Sequence, residues 1–503
     1  MVESILLGIS GLLNPLNLGI IVFGLLIGMI FGALPGFSAT MALAVLVPFS
    51  FWLPPDAALL MLSAVYCSSI YAGSIPAVLL GIPGTPASVP TTYDGLAMTK
   101  QGKAGQALTY VTFGSSAGGV LSSIALLVGA PLLALVALKV GPPEQMMLAI
   151  FGLSVVCTLS SGNMLKGVLV GFLSLLLATV GQDPVEGYPR FTLGFHELLG
   201  GIPLIPVLIG LFTIPEVFNM IEQRTKNRRT PPKIGSLKVT LREKMRMFLL
   251  TFRSACIGIG IGIIPAAGPE IASFISYNEA IRSSKNPEKF GKGAPEGIVA
   301  AEAANNGVTG GSLIPLLTLS IPGSAPAAVF LGALLIHGLR PGPTLFTQNT
   351  DIVYTLLVGF IVINILMYFI GLLFNRVSSQ VIKVPVNILI PIILVFAILG
   401  SFAVQRALFD VGIMLISGLI GYFMIKHHYP VAPIALALIL GPLLEQALQQ
   451  SLTMTQGNLL LVFSRPLTIV FLILTLLSLV WPLLSKVFVK LKPRQDHNNY
   501  LNK

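Results

Sequence analysis

Charge is scarce in this chain. Only 10% of its 503 residues are Asp, Glu, Lys or Arg, against about 25% in a soluble domain. That shortage excludes a water-soluble globule. It equally excludes disorder, which needs high charge and low hydrophobicity. Cysteine is scarcer still: Cys67, Cys157 and Cys256 lie far apart in apolar stretches without histidine neighbours. A disulfide scaffold is therefore ruled out, and all three are read as small buried hydrophobes rather than as a metal site or redox pair. The five histidines show no zincin spacing, and Gly-x-Ser-x-Gly is absent. Without Gly-x4-Gly-Lys-Ser/Thr there is no ATP-driven pumping by this chain. No paired carboxylates suggest catalysis, so no enzyme is expected, and no cofactor beyond a coupling ion.

Apolar residues are what the chain has in quantity. They make up 54% of it, and the mean hydropathy is +0.88. Runs recur from 17–34 to 198–221, and again from 247–264 to 466–490. At about 20 residues per crossing, 11 to about 13 spans are expected. Helix is the open-bilayer option, because backbone groups must be satisfied within the segment. The fold class predicted is an all-α polytopic membrane protein. Its lead segment, Met1 to Leu13, has Glu3 and no basic residue, so it reads as interfacial rather than as a cleavable signal.

The net charge of +11 is not spread evenly. Ten of the 30 basic residues, from Arg224 to Arg253, fall around one connector. Others cluster in 94–105 (Lys100, Lys103), in 282–296 (Arg282, Lys285, Lys289, Lys292) and in the tail from Lys486 to Lys503. Short basic loops beside spans mark the cytoplasmic side. A nucleic-acid surface would interleave such residues with aromatics on a folded domain, and none is visible. The organisation expected is a first transmembrane repeat over 1–221, a basic cytoplasmic connector over 222–246, a second repeat over 247–448, and a C-terminal span and tail over 449–503.

The strongest signal is an internal repeat. Gly32-Ala33-Leu34-Pro35-Gly36 is echoed by Gly262-Ile263-Ile264-Pro265-Ala266 at an offset of 230 residues. Ile75 to Thr85 is echoed by Ile314 to Ser324 at an offset of 239. Both copies of the second motif read Ile-Pro-x4-Gly/Ser-Ile-Pro-Gly-Thr/Ser, each with a Gly-Ser just ahead of it. Proline removes a backbone donor and glycine loosens the helix, so each motif interrupts a helix. Interruptions at matching places in two halves point to a transporter's binding site, the alternative being kinks used only for packing. The halves are expected to be inverted, although the two basic inserts 94–105 and 282–296 follow non-equivalent positions.

Candidate substrate- and ion-binding residues follow from these breaks. They are Pro35, Gly36, Ser38 and Thr40 after the first, Pro83, Gly84 and Thr85 at the second, and Pro322, Gly323 and Ser324 at its copy. The hydroxyls among them suit a carboxylate or a cation, and equally suit helix capping. Intramembrane charges are costly and so are functional candidates. Glu270 follows Pro269 at a helix start, where it serves ion coupling or the helix dipole. Glu302, Asn305 and Asn306 share one helix face, which suits Na⁺ or a polar substrate. His337 and Arg340 read as carboxylate partners or span-end anchors, Glu296 as interfacial, and Asp94 as a turn residue.

At this point the chain resembles the large membrane subunit of the tripartite tricarboxylate transporters, the TctA family. The matching stretches are GALPGFSAT at 32–40, YAGSIPAVLLGIPGTP at 71–86, YDGLAMTKQGKAGQAL at 93–108, KFGKGAPEGIVAAEAANN at 289–306, IPLLTLSIPGS at 314–324 and GLRPGP at 338–343. Gly81 and Ser320 stand where the family often has Asn or Gly, a departure with a bearing on substrate choice. The resemblance implies a multi-pass protein of the bacterial inner membrane. It further implies two partners, a small four-span membrane subunit and a periplasmic solute-binding protein. Uptake of citrate or a related di- or tricarboxylate would be driven by a Na⁺ or H⁺ gradient. An ion channel or exporter using the same broken helices without a binding protein is the rival reading.

Overall fold

Apolar runs without caps become long helices, and the Pro-Gly motifs decide where those helices stop. In the computed structural model, residues 2–138, 140–159, 164–183, 187–223, 234–265 and 267–491 are described. Within them the chain is all helix apart from one two-residue β-hairpin, Gly181–Gln182 with Pro189–Arg190. The basic residues from Arg224 to Lys233 and those from Lys492 onward lie outside the described residues.

Element order runs the same way twice. A lead helix (Val2–Leu12) precedes a broken pair, Pro15–Ala33 and Ala39–Ser50. A kinked helix, Pro55–Ala72 with Ser74–Leu80, then breaks before Val89–Lys100. The 34-residue helix Ala104–Ala137 follows, then Pro142–Leu159, Met164–Ala178 and Leu204–Gln223. The second passage is Leu241–Arg246, Phe248–Ile263, Gly268–Ser283, Pro295–Leu319, Ala325–Ile336, Thr350–Val381, Val386–Gln405, Leu408–Lys426 and Ala432–Met454, with Pro466–Leu491 beyond it.

The breaks repeat down to their dihedrals. Leu34 (φ −81°, ψ 123°) and Ile264 (φ −78°, ψ 123°) end their helices in extended conformation. Gly81 (φ 71°) and Ser320 (φ 60°) end theirs left-handed. The following residue returns its N–H to the same place in each turn, Ile82 to the Pro76 carbonyl and Ile321 to the Pro315 carbonyl, both at 3.3 Å. A left-handed end of this kind favours Gly or Asn, and Ser320 takes it with its hydroxyl donating to the Pro341 carbonyl at 3.0 Å.

Contact registers give the relation between the two passages. Gly24, Gly28 and Gly32 rest on Met61, Val65 and Ser69, so those helices run parallel. Gly258 and Gly262 rest on Ala304 and Val308, the same parallel pairing in the second passage. Between passages the direction reverses: Tyr66 meets Ser312, Cys67 meets Asn306 and Ser74 meets Glu302. Ser123 with Phe360 and Asn375 with Leu108 show the same reversal between the two long helices. Equivalent helices that cross antiparallel are related by a two-fold axis perpendicular to them, in the membrane plane. The axis passes where Asn306 donates to the carbonyl of Cys67 at 3.2 Å, since those positions stand at the repeat offset.

Inversion also accounts for the basic inserts. The loop at 282–296 lies between the first broken pair and the next long helix of its passage, whereas 94–105 lies one connection later in its own. Non-equivalent loops of inverted repeats emerge on one face. There Gln101 donates to the Lys292 carbonyl at 2.8 Å, and the Gly105 N–H donates to Ile234 of the connector at 2.6 Å. Asp94 is not a turn residue: it is buried in Val89–Lys100. Its carboxylate accepts the N–H groups of Gly293 and Ala294 and the Tyr277 hydroxyl, at 2.8 to 2.9 Å, locking the two inserts together.

One further expectation changes. Among the described residues eight helices are long and apolar enough to cross a bilayer, and six apolar stretches of 10–17 residues join them. The breaks divide several apolar runs into short pieces that meet inside the bundle. Cys67 and Cys157 are buried, but Cys256 is exposed on Phe248–Ile263.

Close helix contact rests on small residues. A Cβ on Gly258 would sit 2.9 Å from the Ala304 backbone carbons, while Gly260 on the same helix faces open space. Gly258→Leu is therefore expected to destabilise the purified protein by about 1–3 kcal/mol or more, whereas Gly260→Leu gains helix propensity and keeps its melting temperature. Thermal unfolding in detergent, followed by size-exclusion, distinguishes them; equal behaviour of the two variants contradicts this packing.

Candidate functional site

Four interrupted segments converge on one cavity of about 610 Å³. Its lining includes Ser38 and Thr40 at the start of Ala39–Ser50, and Ala267 to Ile271 at the start of Gly268–Ser283. Ser324 to Pro326 open Ala325–Ile336, and Thr85 to Ala87 lie one 3-10 turn ahead of Val89–Lys100. The first turn of a helix leaves N–H groups without intrahelical partners, so the ends of two pseudo-equivalent pairs face one space. On the far side His428 and Tyr429 line the cavity. They follow Lys426, which pairs with Glu222 at 3.6 Å, so the cavity reaches the face that carries the connector.

Charge in this cavity is sparse. No lysine or arginine is among its described lining residues, and Glu270 is the carboxylate there. Glu270 occupies the first turn of its helix and is exposed within the cavity. Anion recognition in such a site falls to helix N-termini and hydroxyls rather than to a guanidinium. Capping and cavity lining coexist: the Ser38 hydroxyl accepts the Met41 N–H at 3.1 Å and the Ser324 hydroxyl accepts Ala327 at 3.4 Å.

One pair of equivalent positions beside the cavity sets the two halves apart. Tyr66 and Asn305 stand at the repeat offset of 239 residues. The Tyr66 hydroxyl lies 3.1 Å from Ser312 and 2.9 Å from Ser324, closing over the turn of the opposite half. Asn305 holds the mirror place, facing the Thr85 side, and its shorter side chain closes nothing. Both its amide atoms are buried without a hydrogen-bond partner among the described residues, and the residue lines the cavity. A buried unpaired amide is costly unless something else supplies its bonds.

The predicted residues thus divide. Ser38, Thr40, Thr85, Glu270, Asn305, Pro322 and Ser324 line the cavity. Pro35 and Gly36 form the turn itself, with Gly36 at φ 86° against Met220. Gly84 nests at the second turn, its N–H donating to the Gly73 carbonyl at 3.0 Å, while Gly323 packs on Ser312; Pro83 lies in the same turn as Gly84. Asn306 donates to the Cys67 carbonyl at the axis, and its Oδ1 has no hydrogen-bond partner among the described residues. Glu302, fully buried, sits behind the cavity and accepts from the hydroxyls of Ser74 and Thr91 at 2.5 Å and of Ser115 at 2.8 Å. His337 lies 3.1 Å from the Ser50 hydroxyl, Arg340 and Glu296 are exposed, and none of the three lines the cavity. Among the described residues no group of three His, Cys, Asp or Glu could hold a metal ion.

Sequence reading missed Tyr66, Ser74, Ser88, Thr91 and Ser115. Tyr66 was reachable, since carrying the offset of the second motif back from Asn305 lands on it. The serines and threonines carry no local signal.

A stability contrast follows. Asn305→Ala removes no hydrogen bond and is expected to leave the melting temperature unchanged. Asn375→Ala removes buried bonds from Tyr71 and to Thr112, both at 2.8 Å, and is expected to cost about 1–3 kcal/mol. Thermal unfolding of both variants checks this.

Comparison with known proteins places the chain. The Tripartite tricarboxylate transporter TctA family matches residues 18–436. An uncharacterized 52.8 kDa protein of Agrobacterium vitis, from the region 3′ of ttuC′ in TAR-I, is 33% identical over 487 residues, 97% of each chain. A second uncharacterized protein of Agrobacterium vitis, from the matching region of TAR-II, is 33% identical over 227 residues, 45% of this chain and 94% of its own. No solved structure matches the chain. The chain belongs to the tripartite tricarboxylate transporter TctA family, as a multi-pass membrane component of a tricarboxylate transporter.

Proposed function

We propose that this chain is the translocation subunit of a secondary active uptake system for small organic anions, citrate or a related di- or tricarboxylate. It works in the bacterial inner membrane with a small four-span subunit, and receives its solute from a periplasmic binding protein. A Na⁺ or H⁺ gradient supplies the driving force.

The observation that carries this reading is the cavity where helix starts from both halves meet beside the unpaired amide of Asn305. Helix N-termini offer partial positive charge and free N–H donors to carboxylates. Their charge is fractional, so the anion is held without a permanent countercharge and can leave again. Inverted halves around one central site support alternating access, in which one bundle rocks past the other. Glu270 opposes an anion in the same space, so a co-bound cation is expected to assist entry.

The test is uptake of labelled citrate into proteoliposomes that contain the chain and its small subunit. Uptake is expected to need both the binding protein and an imposed gradient. Asn305→Ala, stable by the contrast above, is expected to weaken apparent citrate affinity about tenfold, the worth of one lost hydrogen bond to a charged group. Flux that follows citrate's own gradient with no ion dependence identifies a channel instead. Failure of citrate and of a panel of other di- and tricarboxylates overturns the substrate class.

A further inference from the structure

Behind the cavity, Glu302 poses a separate problem. It is wholly buried in the middle of Pro295–Leu319, and no ion pair reaches it among the described residues. Three neutral hydroxyls, from Ser74, Thr91 and Ser115, are its partners. A buried carboxylate without a countercharge is expensive unless it takes up a proton or a cation.

Its hydrogen-bond partners carry no charge, and Glu270, on the packed helix Gly268–Ser283, lines the cavity and is not bonded to Glu302. From Pro55–Ala72, Tyr71 commits its hydroxyl to Thr112 and Asn375, and the buried Cys67 thiol lies against the Asn364 amide, which donates to it at 3.7 Å. From Val89–Lys100, Asp94 is turned to the backbone of Gly293 and Ala294 and to Tyr277 of Gly268–Ser283. From Ala104–Ala137 the nearest groups are Ser115 and Gly114. From Phe248–Ile263 the contact is made by Gly258, and Cys256 is exposed.

One thread of hydroxyls joins this carboxylate to the cavity. Thr85 in the cavity wall lies 3.1 Å from the Ser88 hydroxyl, Ser88 lies 3.0 Å from Ser74, and Ser74 donates to Glu302 at 2.5 Å. Ser74 has a single proton for two acceptors, Ser88 and Glu302. Resting on the anion-uptake reading above, we propose that Glu302 carries the coupling proton and that Ser74 and Ser88 relay its protonation state to the Thr85 hydroxyl.

The proton count closes in both states. With Glu302 ionised, Ser74 gives its one proton to the carboxylate rather than to Ser88, and the Ser88 oxygen accepts the Thr85 hydrogen instead. Thr85 then shows the cavity only lone pairs, which repel an anion. When Glu302 gains a proton it donates to Ser74, Ser74 turns its hydrogen to Ser88, and Ser88 turns its own to Thr85. The Thr85 hydrogen is freed to donate to a carboxylate in the cavity. Each state therefore favours one occupancy, and by linkage the bound anion favours the proton as much as the proton favours the anion. A proton suits the cluster better than Na⁺, because all three hydroxyls already aim hydrogens at the carboxylate. Na⁺ would require each of them to turn away.

Infrared difference spectroscopy tests this on the full-length chain in liposomes, with no substrate present. A pH jump is expected to show a carboxylic-acid carbonyl band that Glu302→Gln abolishes and Glu302→Asp retains. Exchanging K⁺ for Na⁺ should leave the band unchanged. Ser88→Ala should keep the band and shift its titration midpoint. In transport, Glu302→Gln is expected to lower pH-gradient-driven accumulation of labelled citrate about tenfold or more. No band dependent on Glu302, or one that Na⁺ displaces at fixed pH, overturns the proton site; an unmoved midpoint in Ser88→Ala overturns the relay. Should the unaltered protein move no citrate, the substrate reading above fails, while the band still decides on Glu302.

Discussion

An interrupted helix inside a bilayer exposes backbone groups that lipid cannot satisfy, and this single constraint organises the molecule. Three of the four interruptions are compensated by local hydrogen bonds of their own. Left-handed ends at Gly81 and Ser320 return the next N–H to the helix just left, and Gly84 donates to the Gly73 carbonyl. Ser38 and Ser324 cap the helices that follow. What remains unsatisfied is turned inward to one cavity, where the donors are of use to a ligand rather than lost in hydrocarbon.

Such turns can meet at the centre only if the helices around them come very close. Glycine makes that possible at Gly24, Gly28 and Gly32 in one half and at Gly258, Gly262 and Gly311 in the other. The symmetry matches dihedrals at the breaks, yet it fails at Tyr66 and Asn305. Tyr66 spans to the opposite turn and fills its bonding capacity; Asn305, at the mirrored place, reaches nothing. Two copies of one scaffold thus produce a site with a closed side and an open side. A strictly symmetric site would offer both sides equally to an asymmetric anion.

Much of this was legible in the sequence because it was written twice. The breaks announced themselves by Pro and Gly, the repeat by its offset, and the common face of the basic inserts by Lys and Arg. Where the short pieces begin and end was not legible, because hydropathy cannot tell a continuous apolar run from two short helices that meet at a turn. Asp94 misled because Asp before Gly normally marks a turn, and its true partners, Gly293 and Ala294, lie some two hundred positions away. The cage around Glu302 was invisible for a similar reason: Ser74, Thr91 and Ser115 become a set only once three helices cross. The side-chain triad of Glu302, Asn305 and Asn306 was found as one helix face. In the fold its members part, one to a hydroxyl cage, one to the cavity and one to the axis.

That parting bears on how anion and driving ion are connected in the proposed cycle. A cavity with no lysine or arginine among its described lining residues, and with Glu270 in its wall, gives an anion partial charges only. Binding there is weak by construction, and any group that adds one more donor, or removes one negative charge, changes occupancy by a large factor. A fixed arginine would bind the same anion more tightly in every state and so contribute nothing to coupling, since a ligand held equally well in two states shifts neither. Leaving the site short of positive charge makes the anion depend on the protonation or cation occupancy of carboxylates near it. In the proposed cycle, the scarcity of charge evident in the composition is thereby also the means by which a gradient acts on the substrate.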